Sequence, residues 1–202
     1  MIYKATLLLP FAYLLGSVPW GVIWTRIFSN VDVRSAGSKN IGAHNVFRVA
    51  GKRLGLMTLG GDLLKGAIPV LVGIFWFGVS DWKGEVLVCL VALSVFTGHL
   101  FPLFLGFKGG KGVATAAGCF LVISPFVCLV CVLVYVLVLC CWGYSSAGSL
   151  SAAAVLPGAI WLATHSLPIT GCAFIMALFI FVRHTDNIKR LLKGTKHSSL
   201  RP

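Results

Sequence analysis

Acidic residues are almost missing from this chain: five Asp and Glu in 202 residues, against 17 Lys and Arg. Charge of either sign is scarce, at 11%, where soluble domains carry about 25%. That shortage excludes a sizeable soluble domain. No Lys or Arg occurs between Ala114 and Phe181. The seven cysteines lie inside apolar runs, and none stands at a metal-ligand spacing from histidine. They read as small buried hydrophobes, with neither a metal site nor a cofactor expected. No basic module interleaved with aromatics is present, so the net charge of +12 points to anionic lipid surface and loop orientation, not to nucleic acid. No Gly-Lys-Ser/Thr follows Gly106 at the spacing of a nucleotide-binding P-loop. The N-terminal apolar run has no Ala-x-Ala-type cleavage site and reads as a first span.

What is abundant is hydrophobicity, at 58% of residues. A crossing needs about 20 apolar residues, so the length allows about five to seven spans. The expected fold is an all-α polytopic membrane bundle, with residues 1–202 as one membrane-embedded domain. Thr6 to Ile27 forms the first span, and Pro19 is placed to break or kink it. Leu54 to Phe77 forms the second; Asp62 and Lys65, three residues apart, can neutralise each other on one helix face. Gly78 to Glu85 is a turn, and a third span starts at Val86. Ala114 to Phe181 is either two long spans, giving five in all, or four short ones divided at Pro125, at Gly143–Ser149 and between Pro157 and Pro168, giving seven. His165 reads as an interhelical hydrogen-bond donor.

Three polar stretches interrupt the hydrophobic sequence. The first, Asn30 to Lys52, centres on Ser38-Lys39-Asn40-Ile41-Gly42-Ala43-His44-Asn45, followed by Arg48. The second runs from Gly98-His99-Leu100-Phe101-Pro102 through Phe107-Lys108-Gly109-Gly110-Lys111-Gly112. The third is Arg183-His184-Thr185-Asp186-Asn187-Ile188-Lys189-Arg190-Leu191. Glycines let a backbone approach a ligand and present its N–H groups, and lysines add positive charge beside them, a pairing that suits phosphate. Sorting the cations by loop leaves only Lys4 and Lys83 on one side of the membrane. Positive-inside logic then places the N-terminus outside, the C-terminus in the cytoplasm and all three stretches on the cytoplasmic face. Together they suit a small ligand with one or two phosphates, beside lipid from which a second substrate can enter.

These residues resemble the bacterial acyl-phosphate-dependent glycerol-3-phosphate acyltransferases, the PlsY family. The likeness runs along essentially the whole chain and rests on Gly16-Ser17-Val18-Pro19-Trp20-Gly21, Asp32-Val33-Arg34, Ser38-x-Asn40-x-Gly42-x-x-Asn45, Gly98-His99-x-Phe101-Pro102, Phe107-Lys108-Gly109-Gly110-Lys111-Gly112 and Arg183-His184-x-x-Asn187-Ile188-x-Arg190-Leu191. It departs at His44, where the family usually has Thr, and after Gly194, where Thr195-Lys196 replaces an expected acidic residue. The resemblance implies a seven-span bacterial inner-membrane enzyme that moves a fatty acyl group from acyl phosphate to the 1-hydroxyl of glycerol 3-phosphate. The products are lysophosphatidic acid and phosphate, and a soluble enzyme that makes acyl phosphate is an implied partner alongside membrane lipid.

Resemblance and chemistry together give the site. Ser38, Lys111, His184 and Asn187 are the expected catalytic residues. Asn40, Gly42, Asn45, Arg48, His99, Lys108, Gly109, Gly110 and Arg190 are expected to bind substrate. Ser38, Asn40, Asn45 and Arg48 would hold glycerol phosphate, Lys108 to Lys111 would cradle the acyl phosphate, and His184, Asn187 and Arg190 would close the site. His99, His184 or a substrate phosphate oxygen would serve as base. An acyl phosphate is already activated, so positioning and charge neutralisation suffice without a protein nucleophile. In keeping with that, the chain has no Gly-x-Ser-x-Gly elbow and lacks the His-x-x-x-x-Asp of acyl-CoA-dependent acyltransferases. The rival readings are a transporter of phosphate or a phosphate ester, which a broken span and an intramembrane Asp62/Lys65 would suit, and a scaffold that binds anionic lipid through the basic tail.

Overall fold

The computed structural model describes residues 2–193, among which ten α-helices and one 3-10 turn form and no strand does. The expected apolar segments all become helices. The first span is α1 (Ile2–Gly16) and α2 (Trp20–Phe28), bent by 43° at the break. Pro19, with no N–H to donate, sits at the N-cap of α2, so the interruption falls where its sequence placed it. A short α3 (Ala43–Ala50) leads through Gly51 into α4 (Lys52–Phe77), and α5 (Trp82–Leu100) follows. Asp81 caps α5, its carboxylate accepting from the Gly84 N–H at 2.8 Å. Between Gly112 and His184 stand α6 (Val113–Ile123), α7 (Pro125–Trp142), α8 (Ser145–Thr164) and α9 (Leu167–Arg183), with the terminal α10 (Thr185–Leu192) beyond.

The C-terminal half therefore breaks into four helices instead of two long ones. The divisions fall at Ser124, at Gly143–Tyr144 and at His165–Ser166. Pro125 and Pro168 sit in the first turns of α7 and α9, where the missing N–H costs nothing; Pro157 is tolerated inside α8 and divides nothing. Among the described residues, four segments are long and apolar enough to cross a membrane: Lys52–Phe77, Trp82–Leu105, Pro125–Trp142 and Ser145–Thr164; counting each bent pair, α1–α2 and α9–α10, as one span gives six. The remaining segment, α6, has 11 residues and rises only about 16 Å.

The chain divides into two compact units, Met1–Val122 and Ile123–Pro202. In the first, α1 and α5 cross at close quarters. Gly16 lies against the Val95 backbone and Gly98 against the Tyr13 carbonyl, so a methyl group on either glycine would overlap backbone. The Ser94 hydroxyl donates to the Leu9 carbonyl at 2.7 Å and the Tyr13 hydroxyl to the Phe101 carbonyl at 2.7 Å, interhelical ties of the kind membrane bundles use. In the second, Gly148 of α8 packs on Tyr135 of α7, whose hydroxyl pairs with the Ser145 hydroxyl at 3.0 Å. His165 is not an interhelical donor: it is exposed, ends α8 in the left-handed region at φ 50°, and stacks edge-on against Trp161 of its own helix at 5.5 Å.

Candidate active site

The first polar stretch folds around one side chain. Asn45, on α3, is 2% exposed. Its amide oxygen accepts from the Ser38 N–H at 2.8 Å, and its amide nitrogen donates to the carbonyls of Val33, Ala36 and Asn40 at 3.1, 3.1 and 2.9 Å. A buried amide that meets so many backbone groups fixes the path of a loop that has no regular structure of its own. Asn45, expected to bind substrate, has its amide engaged by the backbone of the loop that carries Ser38 and Asn40. Ser38 and Arg48 are exposed at this loop and Asn40 half-buried, with Arg48 reaching back to the Asn45 amide oxygen at 3.4 Å.

Gly37 went unnoticed in the sequence. It sits at φ 60°, and any side chain there would overlap the Asn45 amide oxygen and Val49. The signal available was a glycine inside a polar turn, which does not by itself say what it must avoid. Gly42, which was singled out, has ordinary room around it and begins α3 in an extended conformation. Nearby, Arg34 forks onto Asp32, its Nε 3.0 Å from Oδ1 and its Nη2 2.9 Å from Oδ2. Those guanidinium hydrogen bonds hold the Asp32 carboxyl down to about 2, so Arg34 is already neutralised where it stands.

The second stretch belongs to the same unit. The Leu103–Leu105 turn carries Leu105 onto an apolar cluster built by Val22 of α2, Val33 and Ile41 of the first stretch, Val46 of α3 and Leu54 of α4. The Leu103 N–H is 3.3 Å from the Ser17 hydroxyl at the break of the first span. Two of the three polar stretches therefore meet through their apolar residues. That contact was invisible in the polar residues that drew attention to the stretches.

Beyond the turn, Phe107 to Gly112 folds back over the end of α5. The Gly110 N–H donates to the His99 carbonyl at 3.1 Å, and a methyl group on Gly110 would overlap His99 Nε2. Lys108 is exposed and Lys111 half-buried. His99 is 3% exposed and lies beneath this loop, with Nδ1 3.6 Å from Asp62 Oδ1. The same carboxylate oxygen is 2.8 Å from Lys65 Nζ, which confirms the pairing read from their spacing. Lys65 Nζ also donates to the Val18 carbonyl at 2.9 Å; the interruption at Pro19 exposes that carbonyl.

The third stretch lies in the second unit. His184 is 3% and Asn187 8% exposed, and Arg190 is exposed. His184 Nδ1 is 2.8 Å from the Ile180 carbonyl, which can only accept, so Nδ1 carries a proton and the lone pair of the neutral ring falls on Nε2. Arg190 Nη2 donates to the Asn187 amide oxygen at 3.3 Å. Asn187 and Arg190, three residues apart, thus share one face of α10. The departure at Thr195-Lys196 lies outside the described residues.

A family model described as glycerol-3-phosphate acyltransferase matches residues 6–194. Curated relatives of that name include those of Syntrophotalea carbinolica, 46% identical over 92% of this chain and 93% of its own, and of Trichlorobacter lovleyi, 43% identical over 92% of each. Two crystal structures of PlsY (YgiH), an integral membrane glycerol 3-phosphate acyltransferase, are also similar. The glycerol 3-phosphate form superposes with a TM-score of 0.91 and the lysophosphatidic acid form with 0.89, each at 37% identity over 96% of this chain and 95% of the other. The match runs along nearly the full length, and the chain belongs to the glycerol-3-phosphate acyltransferase family, whose PlsY members are integral membrane proteins.

Proposed function

We propose that this protein uses acyl phosphate as its donor, transferring the fatty acyl group to the 1-hydroxyl of glycerol 3-phosphate to give lysophosphatidic acid and phosphate. The observation that carries this reading is that Ile41 and Val46 of the first glycine-and-cation stretch and Leu105, three residues before Lys108 of the second, pack into one apolar cluster in the first unit. The hydroxyl oxygen forms a bond to the acyl carbon, the bond from that carbon to the phosphate oxygen breaks, and the departing phosphate keeps the electron pair. The hydroxyl proton passes to a base or to a phosphate oxygen of the substrates.

Nothing in that sequence of events requires a protein nucleophile; it requires that negative charge be met as it develops. Lys111 and Lys108, on a loop that Gly109 and Gly110 allow to lie close against the end of α5, hold the acyl phosphate and stabilise the leaving phosphate. Ser38, Asn40 and Arg48 hold glycerol 3-phosphate, on a loop kept in shape by Asn45 and begun into α3 by Gly42. The family resemblance assigns His184, Asn187 and Arg190 of the second unit to the same reaction. Residues 1–202 work as one membrane-embedded domain in a bacterial inner membrane, N-terminus outside. The first and second stretches face the cytoplasm, where a soluble enzyme supplies acyl phosphate, and the acyl chain enters from the lipid.

The test is purified protein in detergent with glycerol 3-phosphate and either palmitoyl phosphate or palmitoyl-CoA, following lysophosphatidate. Product is expected from the phosphate donor; product from the CoA donor alone overturns the assignment. Lys111→Ala with unchanged turnover would contradict the role given to the loop.

A further inference from the structure

Asp62 and Lys65 have so far been explained as a pair that cancels its own charge. That explanation is incomplete. Both are 2% exposed, and a buried ion pair is weak evidence of stabilisation, since apolar residues of the same size serve as well or better. The arrangement here does more than cancel charge. Lys65 Nζ is held from two directions, by Asp62 Oδ1 at 2.8 Å and by the Val18 carbonyl at 2.9 Å, and this fixes the carboxylate. The same oxygen faces His99 Nδ1 at 3.6 Å. The opposite nitrogen of the ring, Nε2, occupies the space that a Cβ on Gly110 would need. The imidazole is therefore a wedge, with a fixed carboxylate on one edge and the glycine loop on the other, and the backbone on either side of it is joined by the Gly110–His99 hydrogen bond of 3.1 Å.

We propose that Asp62 and Lys65 are positioning residues for acyl transfer: they hold the His99 imidazole against Gly110 and so set the path of the Lys108–Lys111 loop over its phosphate-bearing substrate. The inference rests on the reading of that loop as a substrate cradle. It makes His99 a support beneath the loop and not a group that touches substrate. It also accounts for a glycine at position 110 in terms of a neighbour, not of turn geometry. A conformationally strained turn is not involved, because Gly110 is not among the residues with positive φ.

The experiment measures KM for each substrate, kcat and thermal unfolding of the full chain in detergent. Asp62→Asn/Lys65→Met keeps the pair neutral and close in size. One of the two KM values is expected to rise tenfold or more, the other to stay within twofold, and kcat to fall less than threefold, with the unfolding midpoint little changed. Asp62→Glu, which keeps the charge but displaces the carboxylate, is expected to raise the same KM and provides the answer if the double variant does not accumulate. Gly110→Ala pushes on the ring from the other side; added to Asp62→Glu it should cost no more than the larger single effect, because both act through one imidazole. Unchanged KM values in the Asp62 variants, or losses that multiply with Gly110→Ala, overturn the proposal. If the KM that rises is that of glycerol 3-phosphate and not of the acyl donor, the assignment of the loop to acyl phosphate fails while the positioning role stands.

Discussion

The two polar stretches of the first unit reach a fixed shape by opposite means. Val33–Asn40 is organised from within: Asn45, five to twelve residues away along the chain, collects its backbone groups. Lys108–Gly112 is organised from beneath, by a histidine on α5 and a carboxylate on α4 that is 37 residues earlier. The first loop carries its own polar scaffold, while its apolar residues Val33, Ile41 and Val46 pack on Val22 of α2 and Leu54 of α4. The second takes its shape from side chains on α4 and α5, so the packing of those spans is coupled directly to the path of the loop.

The sharpest way to break this contrast is at Asn45. Asn45→Ala leaves four backbone groups without their partner, each costing about 1–3 kcal/mol when buried and unpaired, and the expected result is loss of folded protein or a fall in unfolding temperature larger than for any other loop variant. Lys111→Ala should cost about 3 kcal/mol of transition-state stabilisation, or roughly 100-fold in kcat/KM, at little change in stability; the pairing of a stability defect in one loop with a rate defect in the other is what the comparison demands. Gly37→Ala, forced to φ 60° and against Asn45, should destabilise by about 1–3 kcal/mol in thermal unfolding, while keeping KM for the acyl donor. A smaller effect is expected from acid. Asp32 titrates at about 2 against an ordinary 3.8, so the stabilisation from its pairing with Arg34 is complete above 3.8 and is lost as pH falls through about 2. Arg34→Ala should return the carboxyl titration, followed by NMR, toward 3.8. Least of all, His44→Thr should change stability by less than about 0.5 kcal/mol, because His44 is exposed on the first turn of α3.

Much of this molecule was legible in its sequence because the bilayer imposes strong rules. Long apolar runs become helices, Pro19 interrupts the first span, and Asp62 finds Lys65 one turn on. Prolines were less informative: Pro125 and Pro168 mark helix starts, but Pro157 looks the same in sequence and interrupts nothing. The candidate site was legible as a set of residue types and not as a division of labour. Asn45 and Arg48 look equally suited to a ligand, yet one is spent on backbone and the other is exposed; only the fold of Val33–Asn40 separates them. His99 looked like a ligand-binding histidine because it sits in a glycine-rich stretch, and burial under Gly110 gives it a different job. The part played by Leu105 could not be read at all, since an apolar residue in a loop names no partner until the cluster around Val33 and Val46 exists.

One interrupted helix serves both loops. Its first half, α1, ends at Gly16, and the hydroxyl of the next residue, Ser17, accepts from the Leu103 N–H; its second half, α2, contributes Val22 to the cluster under the first stretch. The three residues between them act as a spacer of set length. One residue inserted between Ser17 and Trp20 would change the distance and direction from α1 to α2, drawing Val22 away from its neighbours while leaving α1 where it is. Substitution at Val18 is thus a milder change than altering the number of residues in the joint, for it is the count, and not the side chains, that keeps the two loops in phase.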